Sequence, residues 1–284
     1  AMAVAVFMPG GLMDHWPVAR WRLAESADVW PIVERRDLGL VLDPAGGFAA
    51  QARLELSGVR ASPFLLLLNE TLSVHSATAR GRDQDGRDLD LGVDVTHLRG
   101  TFERYHREAR VLRMDLNELP PDGRLKLQLG YGGEVAHGPE GADWRGILLV
   151  DAGEVRMCDQ SVFEPQVPLA WQSPGVMGAP GRFTVDAPSA WELYAPGRLD
   201  AREDAPAELP APMPAAAASH GPRRTGPRTR WTWRLDGPGS LALVGGERVR
   251  HEASHGDATL VTLLRDEHAE LAETFLAEAR AALA

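Results

Sequence analysis

The sequence predicts a mainly β protein: an antiparallel β-saddle or sandwich with a single C-terminal helix. Three observations carry this expectation. Short stretches alternate apolar and polar residues, as in Arg53-Leu54-Glu55-Leu56 and in RLKLQL at 124–129. Clusters of Pro, Gly and Asp separate these stretches at short intervals. Only one stretch, starting at Asp266, repeats its apolar residues with helical spacing. Strand side chains alternate between faces, whereas helical residues three and four apart share one face, so the two patterns are separable by eye. Short strands at this spacing fit a sandwich or saddle better than alternating βα units.

Taken in order, residues 33–42 form the first expected strand, closed by a turn at Asp43-Pro44 and Gly46-Gly47. The alternation at 53–56 marks the next. FLLLLN at 64–69 is apolar without a break, the pattern of a strand buried on both faces. Residues 110–116 alternate, with Val111 outside the pattern, and 124–129 alternate cleanly. Between them lies Pro120-Pro121-Asp122-Gly123. Pro presets one turn residue and Gly accepts positive φ, so the expected connection is a hairpin turn. Strands follow at 146–150 and 153–158 around Asp151-Ala152-Gly153, and at 182–186 before Pro188. Further strands are expected at 230–235 and 240–244 around DGPG, and at 249–251 and 259–264.

The final stretch, DEHAELAETFLAEARAALA, places Leu271, Phe275, Leu276, Ala279 and Leu283 on one stripe. Asp266 is the expected N-cap, and Glu267 and Glu270 suit the positive end of the helix dipole. The plain expectation is an amphipathic helix packed on a sheet. Residues 200–229 differ from their surroundings, with six prolines, an Ala run and Arg223-Arg224. They cannot build a core and read as a mobile loop within the domain or as an interdomain linker. The expected organisation is an N-terminal extension (1–32), a β-domain (33–265) and a terminal linking helix (266–284). Ala1 is no native initiator, so the first residues read as a tag scar or an internal cut.

Composition narrows the function. The chain has 284 residues, 40 acidic against 30 basic, for a net charge of −10. That disfavours nucleic acid as a partner, which calls for a basic face. At 44% apolar residues the chain can bury a sizeable core. No apolar run approaches the length needed to cross a bilayer as a helix. The single Cys158 excludes a disulfide framework, and the compartment stays open.

The sharpest motif is His251-Glu252-Ala253-Ser254-His255, which matches H-E-x-x-H. On a helix that spacing brings two imidazoles to one face to bind zinc, with the Glu as base for a metal-bound water. This would make the chain a small zinc peptidase, with Glu273 as third ligand. Gly245-Gly246 and Gly256-Asp257 flank the motif and break helices, so a strand is the competing expectation. In a strand Glu252 would point away from the two histidines. No G-x-S-x-G elbow and no phosphate-binding glycine loop occurs. RTRWTWR at 228–234 mixes aromatic and basic residues and reads as a strand with Trp231 and Trp233 on one face.

In sequence order, several segments resemble the N-terminal β-saddle domain of the aminopeptidase N family of zinc metallopeptidases, the gluzincins. ERRDLGLVLDPAGG at 34–47 resembles the family's first strand and L-D-P turn. FLLLLNET at 64–71 resembles an apolar strand ending in Asn, and LPPDGRLKLQLGY at 119–131 a segment ending in a Y-x-G edge. QSVFEP at 160–165 resembles the family's T-Q-F-E-P strand. Residues 183–197 resemble F-x-x-x-x-x-P-x-x-W-x-x-x-x-x-G, and 231–247 the end of the domain. The resemblance implies a non-catalytic domain, inactive alone, that walls a substrate cleft and supports an absent catalytic domain. Zinc is then expected in that catalytic domain and no cofactor in this chain, with peptide substrate reached through the parent protein. In active members a Gln or Glu just before F-E-P holds the substrate's free amine. Val162 stands at that position here, and Gln160, two residues earlier, would share its strand face. The substrate-binding candidates are therefore Gln160 and Glu164. The resemblance also implies an apolar patch on their face. A third possibility is a stand-alone β-sandwich binding module.

Overall fold

A computed structural model describes residues 31–44, 46–83, 85–104, 107–134, 148–151, 153–158, 161–167, 179–205, 226–237, 241–256 and 258–283. It begins with β1 (Ile32–Asp43), β2 (Gly47–Ser57), β3 (Phe64–Asn69) and β4 (Ser73–Arg82). Next come β5 (Asp88–Leu91), β6 (Val93–Arg104), β7 (Arg107–Leu116) and β8 (Leu125–Glu134). Short strands β9 (Leu148–Val150) and β10 (Glu154–Cys158) precede β11 (Gly181–Pro188), β12 (Glu192–Tyr194) and β13 (Arg198–Asp204). The series closes with β14 (Arg228–Leu235), β15 (Ala242–Gly246), β16 (Val249–His255) and β17 (Ala258–Leu264). A 3₁₀ turn (Asp266–Leu271) then leads into helix α1 (Ala272–Leu283). The fold is mainly β with one C-terminal helix, as the periodicities predict.

An eight-stranded sheet runs β13-β14-β11-β1-β2-β8-β4-β5. A three-stranded sheet, β3-β7-β6, and a four-stranded sheet, β12-β15-β10-β9, share one continuous core with it. Strand β2 shows why the sequence folds this way. Leu54 and Leu56 are buried while Arg53 and Glu55 are exposed, so alternation in the sequence becomes two faces. In β3 all six residues are buried, as an unbroken apolar run requires. Trp231 and Trp233 lie on one face of β14 and stack with ring centroids 5.8 Å apart. The Arg202 guanidinium sits 4.1 Å from the Trp231 ring centroid, over that ring.

Several expectations are corrected. Strands β1 and β11 run parallel, so the large sheet is not wholly antiparallel. Their close approach explains Gly181, where a Cβ would stand 1.6 Å from the Arg36 carbonyl oxygen. The Pro120–Gly123 turn forms, with Gly123 N–H donating to Pro120 O at 2.9 Å and φ of +66° at Gly123. It does not close a hairpin, because β7 pairs with β3 and β6 whereas β8 pairs with β2 and β4. The chain likewise changes sheets between β14 and β15. Turn chemistry fixes a reversal, not the partner beyond it. Strands β13 and β14 pair with each other and occupy both ends of the stretch expected to be a loop. Residues 206–225 of that stretch, and 1–30, lie outside the described residues.

The C-terminal stretch also differs. Its first turn is 3₁₀, Arg265 rather than Asp266 occupies the N-cap position, and no side-chain cap forms. Of the predicted apolar stripe Leu276 is buried, together with Ala272, while Leu271 and Phe275 are 42% and 47% exposed. The helix covers a two-stranded ribbon of β16 and β17 with part of its stripe and leaves the rest open.

Candidate functional site

The segment Ser161–Val167 crosses the seam between the sheets. Asn69 ends the buried strand β3, and its amide donates to Ser161 O at 2.8 Å. The Asn69 backbone N–H donates to Val162 O at 2.8 Å. Leu67 and Gln166 exchange both backbone hydrogen bonds, at 2.7 and 2.9 Å. Tyr131, from β8, donates its hydroxyl to Phe163 O at 3.0 Å. Ser161 Oγ donates to Cys158 O at 2.6 Å, at the end of β10. The segment is thereby fastened to all three sheets that share the main core. Bonds of this kind matter here because buried peptide groups without partners are costly.

Glu164 is fixed within this strap. Its carboxylate accepts from Arg36 Nη1 in an ion pair whose side chains are 4% and 8% exposed respectively. Burial, with the Glu164 charge as second cause, pushes the Tyr131 phenol well above its ordinary pKa, so the hydroxyl keeps the proton it donates. A second buried pair joins Arg228 and Asp186, with Arg228 Nη2 also donating to Leu42 O at 2.7 Å.

Here the structure departs from the sequence reading. Val162 is not in a strand: its φ is +52°, a left-handed conformation rare for a β-branched residue. Val162 therefore does not present the strand face on which the substrate-amine reading places it. Gln160 lies outside the described residues. Glu164 is buried and held by Arg36 rather than open to a ligand. Nor is there an apolar patch around Glu164 among the described residues. The described tryptophans, Trp191, Trp231 and Trp233, are all buried. Exposed large apolar residues instead include Leu271 and Phe275 beside the ribbon, and Tyr194 and Val244, cross-strand partners on β12 and β15.

Arg36 is the residue the sequence reading missed. The signal was present, since Arg36 is in phase with Leu38, Leu40 and Leu42, all buried on β1. Its neighbour Arg35 is out of phase and exposed, pairing with Asp37 at 3.1 Å. Period-two phase separates two adjacent arginines that composition treats alike.

HEASH lies on strand β16, where His251 pairs with Thr262 and His255 with Ala258 of β17. The segment is extended rather than helical, so the two-imidazole helical face of the H-E-x-x-H reading does not form there. Among the described residues no group of three His, Cys, Asp or Glu side chains stands close enough to hold a metal ion.

The outer face of the large sheet carries a groove of about 720 Å³. A ladder of Arg35, Glu55, Lys126, Arg80 and Asp90 crosses it in register. Both signs occur along it, with Lys126 and Arg80 adjacent, and Arg80 pairs with Asp90 at 2.8 Å while both are largely exposed. Exposed pairs of this kind are worth little. The groove is a solvated sheet face without a dominant field for one ligand charge.

No protein-family profile and no curated protein sequence matches this chain. Solved structures do. One is the M1 zinc metallopeptidase from Deinococcus radiodurans, a mutant bound to a Tyr-Ser-Ala substrate, at 18% identity and a TM-score of 0.50. The match covers 82% of this chain and 46% of that one. A second is a two-domain M1 zinc metallopeptidase mutant bound to L-tryptophan, also at 18% identity and 0.50, covering 82% of this chain and 47% of the other. The fold is the one found in M1 zinc metallopeptidases. The chain spans less than half the length of these structures. No helix among the described residues is long and apolar enough to cross a membrane.

Proposed function

We propose that this chain is the non-catalytic N-terminal domain of an aminopeptidase N-like zinc metallopeptidase, walling the substrate cleft and supporting a separate catalytic domain. The carrying observation is the fold match, which takes in most of this chain and less than half of each metallopeptidase. The residues agree: HEASH is extended, so that segment forms no helical zinc pair. In this reading zinc belongs to the partner domain, where it would polarise the scissile carbonyl and activate water. This chain's part is to shape and position. Gln160 supplies the polar contact to the substrate's amine, and Glu164, locked to Arg36, anchors the strap that follows it.

The face offered to the catalytic domain is the open side of the α1 ribbon. Leu271 and Phe275 are exposed there, and Leu260, Val261, Leu263 and Leu264 of β17 are only half-buried. Apolar area of this kind gains by being covered.

The test is made in two steps. The reading frame carrying this chain is followed for a second H-E-x-x-H beyond Ala284. The chain and the encoded remainder are then assayed for aminoacyl-amide hydrolysis, apart and together, with one equivalent of zinc. The expected result is no turnover by this chain alone and turnover by the combined protein that drops when Gln160→Ala is introduced. Turnover by this chain alone, or a frame without a peptidase domain, overturns the proposal.

A further inference from the structure

The seam between the large sheet and the three-stranded sheet contains a feature that neither the fold match nor the proposed role requires. Strand β5 pairs only with Ala79–Arg82, the second half of β4. Among the described strands, none pairs with the outer edge of the first half of β4. Strand β6 packs there instead. At this point the Val74 backbone N–H donates to His97 Nε2 of β6 at 3.3 Å. An imidazole thus takes the place of a strand carbonyl on an open edge. Arg110 of β7 reaches the same spot, its Nη1 donating to Leu72 O at 3.0 Å and to Ser73 Oγ at 3.1 Å.

Both strands are irregular here. The β4–β8 register shifts between Val74 and Ser76, which leaves His75 as the extra residue, and the β6–β7 register shifts between His97 and Thr101. A bulge weakens the ladder locally, so the knot of side-chain bonds carries more of the seam than it would in regular strands.

We propose that His97 is a proton-operated latch: neutral, it fastens the three-stranded sheet to the open edge of β4, and protonated, it releases that edge. The chemistry is that of imidazole. A nitrogen that accepts a hydrogen bond must be unprotonated, and in the imidazolium both nitrogens are donors. Protonation therefore turns the Val74 N–H into a donor facing a donor. The charged and titratable groups acting on His97 are Arg110 from β7 and His75 from β4, and both are basic. His75 is in turn hydrogen-bonded to the Gly132 backbone of β8. Among the described residues no carboxylate acts on His97, so added positive charge meets positive charge. Burial first, then Arg110 and His75, hold the His97 pKa below its ordinary value of 6.5. The latch is thus closed at neutral pH and opens only in acid.

Amide exchange and imidazole NMR on the whole chain test this between about pH 7.5 and about pH 5. Corrected for intrinsic exchange, Val74 protection should fall on the order of tenfold or more across that range, while amides of β2 and β11 hold theirs. His97→Gln keeps an acceptor oxygen that does not titrate, and should flatten the Val74 response. The wild-type imidazole should show an unprotonated Nε2 at neutral pH and titrate below 6.5. A pH-independent Val74, a response that survives in H97Q, or a response abolished by His75→Gln alone overturns the latch. So does an Nε2 that carries a proton at pH 7.5, a readout that holds even where H97Q does not fold.

Discussion

The molecule has two regions built on the same pattern rules but with different outcomes. In the main body, three sheets face one core in which Leu66, Leu68, Phe163, Phe183 and Trp231 are almost wholly buried. In the C-terminal unit a two-stranded ribbon meets one helix, and among its described residues only Ala272 and Leu276 are buried. A lone ribbon has little apolar face to bury, and its helix stripe is wider than the surface available to it. In the main body most large apolar residues among those described are buried within the chain, with Tyr194 and Val244 among the exceptions. In the ribbon burial is left incomplete, and that unmet burial is what marks the face proposed for a partner domain.

The contrast can be broken or sharpened by substitution. The largest effect is expected at Trp231, stacked on Trp233 in the closed core. Trp231→Ala should cost about 3–5 kcal/mol in chemical denaturation. A cost below about 1 kcal/mol would mean that the core there is looser than its burial implies. Arg36→Met should be nearly as severe, about 3–5 kcal/mol, because it strands the Glu164 carboxylate in the interior. Adding Glu164→Leu should recover much of that loss. If the double variant is no better than the single one, the ion pair is not the reason for the damage.

A smaller cost, about 2 kcal/mol, is expected for Asn69→Ala, which frees the bonds to Ser161 O and to Thr71. It should also loosen the strap, seen as faster proteolysis within 161–167 than in β2. A pH effect comes next. His97 and His75 both have folded-state pKa values below the ordinary 6.5, through burial first. Their neutral forms therefore contribute stability that is complete above about pH 6.5 and is lost as pH falls through the lowered folded values. The thermal midpoint should decline with acid over that window, and less so in the variant His97→Gln. The smallest effect on the isolated chain is Phe275→Ala, within about 0.5 kcal/mol. The same change should weaken association with the catalytic portion, measured by titration calorimetry. A large loss of monomer stability would show that Phe275 already belongs to a finished core.

Legibility in the sequence followed the range of the interaction. Residues 53–56, 64–69 and 230–235 were readable as strands because alternation or an unbroken apolar run is a local property. The phase of Arg36 was also readable, and pointing it inward needed only the rule that separates Leu38 from Arg35. The β7–β8 connection was not, because Pro120–Gly123 specifies a turn and says nothing about which sheet receives the next strand. Glu164 was singled out from a motif likeness, but its burial depends on Arg36, 128 positions away in sequence. Val162 gave no signal of its left-handed backbone, since that conformation is imposed by bonds at both ends of the strap.

By itself the sequence determined the class of fold, the alternating faces of most strands and the helix at the end. These depend on composition and on neighbours two to four residues apart. The tertiary structure decided that β1 and β11 run parallel, that Glu164 is sealed by Arg36 and that His97 meets Val74. Each of these rests on groups brought together from distant parts of the chain, where burial and pairing across sheets outweigh any local preference.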